Sequence, residues 1–324
     1  MFKKVQPVTS HIESADSFAI EVSGVTKTFI QWQRDNTGRG TLKNLLRPEK
    51  RLITALDNVS FKVGCGEFVA YAGPNGAGKS TTMKLLSGML QPTSGSISVL
   101  SMSPQQQRRA IMQDLGVLFG NRTELWWDHP IIQSFEWKKV VWDIPDDRYR
   151  ENLAMVTELL DIDGLLKTFA RELSLGQRMR ADLAMLLLHS PKLILLDEPT
   201  LGLDVMAKRQ MIGFLRKLNE QAGTTIVVTS HDMDDLEEMA RRILLISNGQ
   251  IAFDGDFAAL RNELGCTKRA IVYFSNGTHR EIGYHDTGLL LSHLSAMDGV
   301  VDITFTQTSL EEGLANLYEK WKTN

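Results

Sequence analysis

One run, Gly73-Pro74-Asn75-Gly76-Ala77-Gly78-Lys79-Ser80, constrains this chain more than any other stretch. It fits the pattern G-x-x-x-x-G-K-[ST]. The short apolar run Glu67–Ala72 leads into it, and Lys79–Met89 then carries apolar residues at helical spacing. The run therefore occupies a strand-to-helix turn, the context a phosphate-binding loop needs. Its glycines let the backbone wrap an anion without Cβ clashes. Successive N–H groups then point inward at a phosphate, and the helix adds the partial positive charge of its N-terminus. Lys79 reaches the β- and γ-phosphates of a nucleotide, and the Ser80 hydroxyl is placed to ligate Mg2+.

The partners such a loop needs lie downstream. Leu193-Ile194-Leu195-Leu196-Asp197-Glu198 is an apolar strand ending in two carboxylates. In open α/β sheets ligands sit at that carboxyl edge. Asp197 would hold Mg2+ there, and Glu198 would polarise the attacking water as general base. A second buried-type strand, Thr225–Thr229, ends at Ser230-His231-Asp232. His231 is then either a structural strand-end histidine or a contact to the γ-phosphate. The helix Val205–Gln221 joins the two strands, a strand–helix–strand unit of the parallel-sheet kind.

The remaining patterns fill in an α/β architecture. Phe18–Val22, Val59–Val63 and Gly95–Leu100 read as strands of an early β layer, the last after a turn at Pro92–Gly95. The polar stretch Gln31–Arg51 holds Arg34, Arg39, Lys43, Arg47, Lys50 and Arg51. It reads as a solvated loop with a short helix, or as a basic element facing lipid headgroups or a partner. Glu151–Leu160 and Gln177–Leu188 place apolar residues at helical spacing. Beyond Gly265, Arg269–Phe274 and Thr278–Ile282 flank Asn276-Gly277, a hairpin signal. Leu289–Met297 and Leu310–Lys322 read as helices, with the strand Val300–Phe305 between them.

Composition narrows the function classes. A chain of 324 residues suits one large domain with an appendage, and 43% hydrophobic residues suffice for a core. A net charge of −3 excludes a globally basic nucleic-acid binder. Cys65 and Cys266 form no CxxC pair, which argues against zinc or a disulfide framework and for a reducing compartment. Met1–Ser10 has no apolar stretch of the signal-peptide kind. Leu183–Leu188, the longest apolar cluster, falls far short of the ~20 residues that span a bilayer. A soluble chain is expected, acting on a membrane only by docking onto another chain.

Leu173-Ser174-Leu175-Gly176-Gln177 opens a helix and is similar to the LSGGQ signature, with Leu in the third place. With Gly73–Ser80, Leu193–Glu198, Gly202-Leu203-Asp204 and His231, it gives residues 18–255 an ordered resemblance to the ATP-binding subunits of ABC transporters. The resemblance implies an α/β fold: a phosphate-loop ATPase core with a mainly parallel sheet and an antiparallel β layer. Residues 18–256 would form the ATP-binding domain, with a helical subdomain at about 121–188; residues 265–324 would form a small C-terminal α+β appendage.

The resemblance also implies ATP and Mg2+ as ligands and two chains stacked head to tail. Each ATP would lie between Gly73–Ser80 and Thr81 of one chain and Ser174, Gly176 and Gln177 of the other. Asp204 would signal across the dimer. Phe29 matches a position whose ring stacks on adenine; a core Phe at a strand end is the alternative. Asn121 stands where the family has a glutamine, one methylene longer, that reaches Mg2+ or the attacking water.

Leu125-Trp126-Trp127-Asp128-His129-Pro130 resembles a subgroup of ABC-2-type exporter ATPases. Its tryptophans would form a dock for a permease helix, or one would be core and the other half exposed. Ser309-Leu310-Glu311-Glu312 resembles an ending shared by exporter ATPases. The function implied is a homodimeric or paralogue-paired ATPase at the cytoplasmic face of the inner membrane, powering export through a separate permease without nucleic acid. The rival is a non-transport relative acting on ribosomes or DNA. The sequence shows neither the paired ATPase units of the first kind nor the coiled coils and zinc modules of the second.

Overall fold

The structure, a computed structural model, describes residues 18–33, 49–120, 123–264, 268–284, 287–307 and 310–314. It opens with a long hairpin. Strands β1 (Phe18–Gln33) and β2 (Glu49–Gly64) pair antiparallel from Phe18 opposite Gly64 out to Gln33 opposite Glu49. Both outrun their alternating cores, which corrects the expectation of a loop across Gln31–Arg51: its two ends are strand. Ile30, Leu52 and Ile53 are β-formers, and the ladder satisfies their backbone groups although their side chains are exposed. The basic residues Arg34, Arg39, Lys43 and Arg47 lie outside the described residues, as does Asn121.

The chain then runs through β3 (Phe68–Ala72), α1 (Lys79–Leu86) and β4 (Ser94–Val99), which pairs with β1. Helix α1 stops short of Met89 because Gly88 takes the left-handed φ of +68° and the N–H groups of Met89 and Leu90 bond back to Lys84. There follow α2 (Arg108–Asp114), β5 (Leu115–Phe119), α3 (Ile131–Val141), α4 (Asp146–Leu159) and α5 (Leu175–Leu187). After these come β6 (Leu193–Asp197), α6 (Val205–Ala222), β7 (Thr225–Thr229), α7 (Met233–Met239), β8 (Arg242–Ser247), β9 (Gln250–Asp256) and α8 (Phe257–Glu263).

Six strands form the central sheet in the order β5-β6-β7-β3-β8-β9, parallel except for β9, with β2-β1-β4 as a separate antiparallel layer. The central strands are buried on both faces, yet the period-two alternation survives as a division between two cores. Val69, Tyr71, Leu193 and Leu195 pack with Ile20, Val63 and Leu86 toward the antiparallel layer and α1. Phe68, Ala70, Ile194 and Leu196 pack with Leu183, Ile212 and Phe135 toward the helices. Each such aliphatic side chain contributes about 1.5–3 kcal/mol on leaving water. The strand ends Ala72, Asp197 and Thr229 are thereby held along one edge.

A partly buried cluster of polar and aromatic side chains joins the helical region to the far edge of β5. His189 Nε2 lies 3.2 Å from the Leu115 carbonyl, and its Nδ1 is buried with no partner among the described residues. Trp142 packs against the His189 ring, and the Lys138 ammonium lies 4.0 Å over the Trp142 ring. Burial first, then the Lys138 charge, push the His189 pKa down to about 4. The unfolded chain therefore binds the extra proton below pH ~6.5. Stability from this residue is complete above that value and is lost as pH falls toward 4, about 3 kcal/mol in all. Urea unfolding at a series of pH values should show this acid slope, and His189→Asn, which cannot be protonated there, should flatten it.

The last part is a small antiparallel sheet, order β11-β10-β12, made of β10 (Lys268–Phe274), β11 (His279–Tyr284) and β12 (Val300–Gln307). Ala270 and Val272 pack against Leu290 and Leu294 of α9 (Thr287–Ser295), forming a third core. The helical turn at 310–314 does not join that core. Leu310 and Leu314 pack into the main one, and Glu311 accepts a hydrogen bond from the Met233 N–H at 3.0 Å. The rest of the helix expected over Leu310–Lys322 lies outside the described residues.

Candidate functional site

The turn between β3 and α1 is shaped by close approach. A Cβ on Gly73 would sit 2.2 Å from the Ile246 carbonyl oxygen. Gly78 has φ +115°, and a Cβ there would meet Leu56 and the Ala55 carbonyl at 2.6 and 2.7 Å. Only glycine fits either place. Below the turn, Thr82 donates to the Gly78 carbonyl at 3.1 Å and contacts the buried Tyr71 hydroxyl at 3.0 Å.

Asn75, Gly76, Gly78, Lys79, Ser80 and Thr81 line one cleft of about 180 Å³ with Ala55 and Glu198. Gly73, Pro74 and Ala77 complete the loop. Lys79 is 6% exposed and donates to the Gly73 and Pro74 carbonyls at 2.6 and 3.2 Å. Burial lowers its pKa, while the charges of Glu198 and Asp197 act in the opposite direction.

The acidic pair stands at the end of β6. Thr229, fully buried and opposite Asp197 in the β6–β7 register, donates to Asp197 Oδ1 at 2.6 Å and accepts from the Glu198 N–H at 3.1 Å. Glu198 turns sharply with φ +57°, a left-handed conformation that costs a non-glycine residue about 1–3 kcal/mol. Its Oε1 lies 2.6 Å from His231 Nε2. The structure thus brings His231 against Glu198 instead of leaving it at an isolated strand end.

Other expected residues stand apart from this cleft. Ser174 caps α5 in a reciprocal capping box: its Oγ accepts from the Gln177 N–H at 3.2 Å, and Gln177 Oε1 accepts from the Ser174 N–H at 2.9 Å. Gly176 sits close to α6, where an added Cβ would be 3.3 Å from the Ala207 Cβ. Asp204 caps α6, accepting from the Ala207 N–H at 2.8 Å. None of these lines the cleft of its own chain. Phe29 pairs with Ile53, close to Ala55 of the cleft wall, and is 37% exposed, so it is not a core phenylalanine. Neither Trp126 nor Trp127 is core, at 39% and 48% exposed; Leu125 fills the buried place.

Residues 56–201 match the profile of the ABC transporter family. An ABC transporter ATP-binding protein of Clostridium acetobutylicum is 30% identical over 203 residues, which cover 62% of this chain and 73% of that protein. The chain belongs to the ABC transporter ATP-binding family. The energy-coupling factor transporter ATP-binding protein of Clostridium perfringens is 30% identical over 217 residues, 65% of this chain and 75% of the relative. A methionine import ATP-binding protein of Latilactobacillus sakei is 32% identical over 219 residues, but this chain spans only 62% of its length.

Among solved structures, a dimeric bacterial ABC transporter cassette superposes with a TM-score of 0.60 at 25% identity, covering 73% of this chain and 98% of the cassette. The cbiO1 subunit of the cbiONQ ABC transporter complex from Clostridium perfringens gives 0.61 at 25% identity, covering 76% and 94%. As a member of that family, the chain carries an ATP-binding ATPase domain. Among the described residues no helix is long and apolar enough to cross a bilayer.

Thr229 and a second set of residues around this cleft carry no signal in the sequence alone. Thr229 closes an apolar strand and looks like any other β-former; only strand register reveals that it faces Asp197. Lys208, Asp232, Asp235 and Thr200 form a linked cluster beside His231. Their spacing in sequence carries no signal.

Proposed function

We propose that two copies of this chain close head to tail around two MgATP and drive export through a separate permease at the cytoplasmic face of the membrane. The observation that carries the reading is the Lys79, Glu198 and His231 constellation at the phosphate loop, with Glu198 2.6 Å from His231. In this reading Gly73–Ser80 and Thr81 cradle the phosphates, Glu198 accepts a proton from the attacking water, and His231 holds Glu198 and meets the γ-phosphate. Phe29 stacks on adenine from the mouth of the cleft. Ser80 and Asp197 suit Mg2+ because both offer hard oxygen donors and Thr229 leaves Asp197 Oδ2 uncommitted. The role proposed for Asn121 is to share that duty. Bound there, Mg2+ neutralises charge on the β- and γ-phosphates.

The partner chain's Ser174 and Gly176 seal the nucleotide. The capping box takes the N–H groups of Ser174 and Gln177, so the γ-phosphate meets those of Leu175 and Gly176. The contribution of Gln177 is to hold that helix start, and that of Asp204 is to carry the state of one site to the other. Residues 18–256 are proposed as the ATP-binding domain, with 121–188 its helical subdomain, and 265–324 as an accessory unit.

The dock proposed for the permease is the aromatic surface on the helical subdomain. Trp126 packs against Trp137 and His129, and all three tryptophans, Trp126, Trp127 and Trp137, are 39–48% exposed. Such a patch suits an amphipathic helix. The dock is tied to α5. Arg178 lies 5.0 Å over the Trp127 ring, and Asp182, whose pKa burial pushes up to about 6, accepts from Thr123 and the Glu124 N–H.

Export rests on the resemblance of Leu125–Pro130 and Ser309–Glu312 to exporter ATPases. The methionine importer named above makes direction the point to test. Co-purification with the membrane partner, followed by ATP-driven transport in inverted vesicles, tests both. Trp126→Ala with Trp127→Ala should lower recovery of the complex about tenfold without changing basal hydrolysis. Unchanged recovery removes the dock, and transport out of the inverted vesicles overturns export.

A further inference from the structure

Beside His231 lies a bonded cluster that the reading above does not use. Lys208, at the end of the first turn of α6, places its Nζ 2.7 Å from Asp232 Oδ2 and 3.0 Å from Asp235 Oδ2. Asp235 is 5% exposed and also accepts from the Thr200 hydroxyl at 2.9 Å. Asp232 accepts from the Asp235 N–H at 3.1 Å, and its own N–H donates to Ser230 Oγ at 3.1 Å.

These bonds close a ring. His231 stands between Ser230 and Asp232 and reaches Glu198; Thr200 follows Glu198 by two residues; Thr200 bonds Asp235; Lys208 joins Asp235 to Asp232. The same lysine donates its N–H to the Asp204 carbonyl at 2.9 Å, in the first turn of the helix that Asp204 caps.

We propose that Lys208 is a positioning residue for hydrolysis: by gripping Asp232 and Asp235 it holds His231 against Glu198, and it ties that geometry to the place of α6 and its cap Asp204. The inference rests on the roles proposed for Glu198 and His231. Burial opposes the Lys208 charge, but the hydrogen bonds that it donates to Asp232 and Asp235 keep its pKa above the usual lysine value, so the grip persists at neutral pH. The Lys208–Asp232 pair is partly exposed and adds little to stability, whereas loss of the ammonium leaves the buried Asp235 carboxylate with the Thr200 hydroxyl alone. Displacement of a reacting group by about 1 Å, in contrast, costs about 10²-fold in rate.

The test uses the full chain with ATP and magnesium. Lys208→Met, similar in length but uncharged, should lower kcat about tenfold or more, with KM for ATP within about twofold, when assayed well below its melting temperature, which falls because Asp235 loses its cation. Lys208→Arg should restore most of the rate. Asp232→Asn should behave like Lys208→Met, and the double variant should be no slower than either single one. In histidine-labelled NMR spectra the His231 signal, assigned by its loss in His231→Ala, should move in Lys208→Met and return in Lys208→Arg. A wild-type kcat in a folded Lys208→Met, or equal losses in the Met and Arg variants, would overturn the proposal. A wild-type rate in Glu198→Gln would instead remove the reading on which it rests.

Discussion

Replacing Glu198 by Gln slows ATP hydrolysis by about 10²–10⁴-fold and leaves nucleotide binding intact. The physical reason is local. Glu198 lines the phosphate cleft at the end of β6, with its side chain 19% exposed and its carboxylate 2.6 Å from His231 Nε2. The amide of Gln has nearly the same size and keeps one oxygen toward His231. It cannot take a proton from water. The backbone is held independently by the Thr229 carbonyl and hydroxyl, both 3.1 Å from the Glu198 N–H, so the left-handed turn survives the change. Steady-state phosphate release and a nucleotide titration on the same preparation separate the two effects. An unchanged rate would remove Glu198 as general base.

Replacing Lys79 by Ala lowers ATP affinity by about 10²-fold or more, to the point where binding is lost at ordinary concentrations. A charge-assisted hydrogen bond is worth about 1.5–3 kcal/mol, and this ammonium is placed for two phosphates. The lysine also holds the loop itself. Its Nζ bonds the Gly73 and Pro74 carbonyls, which the alanine variant leaves unpaired. Loop and charge are therefore lost together. Fluorescent-nucleotide titration of a variant that melts like the parent is the check. Parental affinity would contradict the phosphate-loop assignment.

The glycine turn between β3 and α1 is legible in sequence because the glycines, the lysine and the serine are adjacent, and the flanking strand and helix carry their own periodicities. Asp197 and Glu198 were legible for the same reason, at the end of an unbroken apolar run. The β8–β9 hairpin is legible in the same way. Asn248-Gly249, both with positive φ, carries the same turn signal as Asn276-Gly277. Ser174-x-x-Gln177 likewise spells a capping box, and the structure uses Gln177 in that way.

What was not legible depends on register and on long-range packing. Thr229 faces Asp197 only because β6 and β7 pair in one particular register. The hairpin β1–β2 extends past the alternating pattern: Phe29–Ile53, Ile30–Leu52 and Gln31–Arg51 are all exposed, and nothing in hydrophobic period marks such a strand. Leu310 reads as the start of an appendage helix; that it docks in the main core while Glu311 bonds the first turn of α7 is a property of the fold alone.

Calorimetric titration of the purified, unmodified chain with ATP in the presence of magnesium tests the central claim most directly. Saturable uptake of one nucleotide per chain, competed by ADP and absent for adenosine, is the predicted result, since the phosphates supply the grip. No measurable heat or competition at millimolar ATP would contradict it.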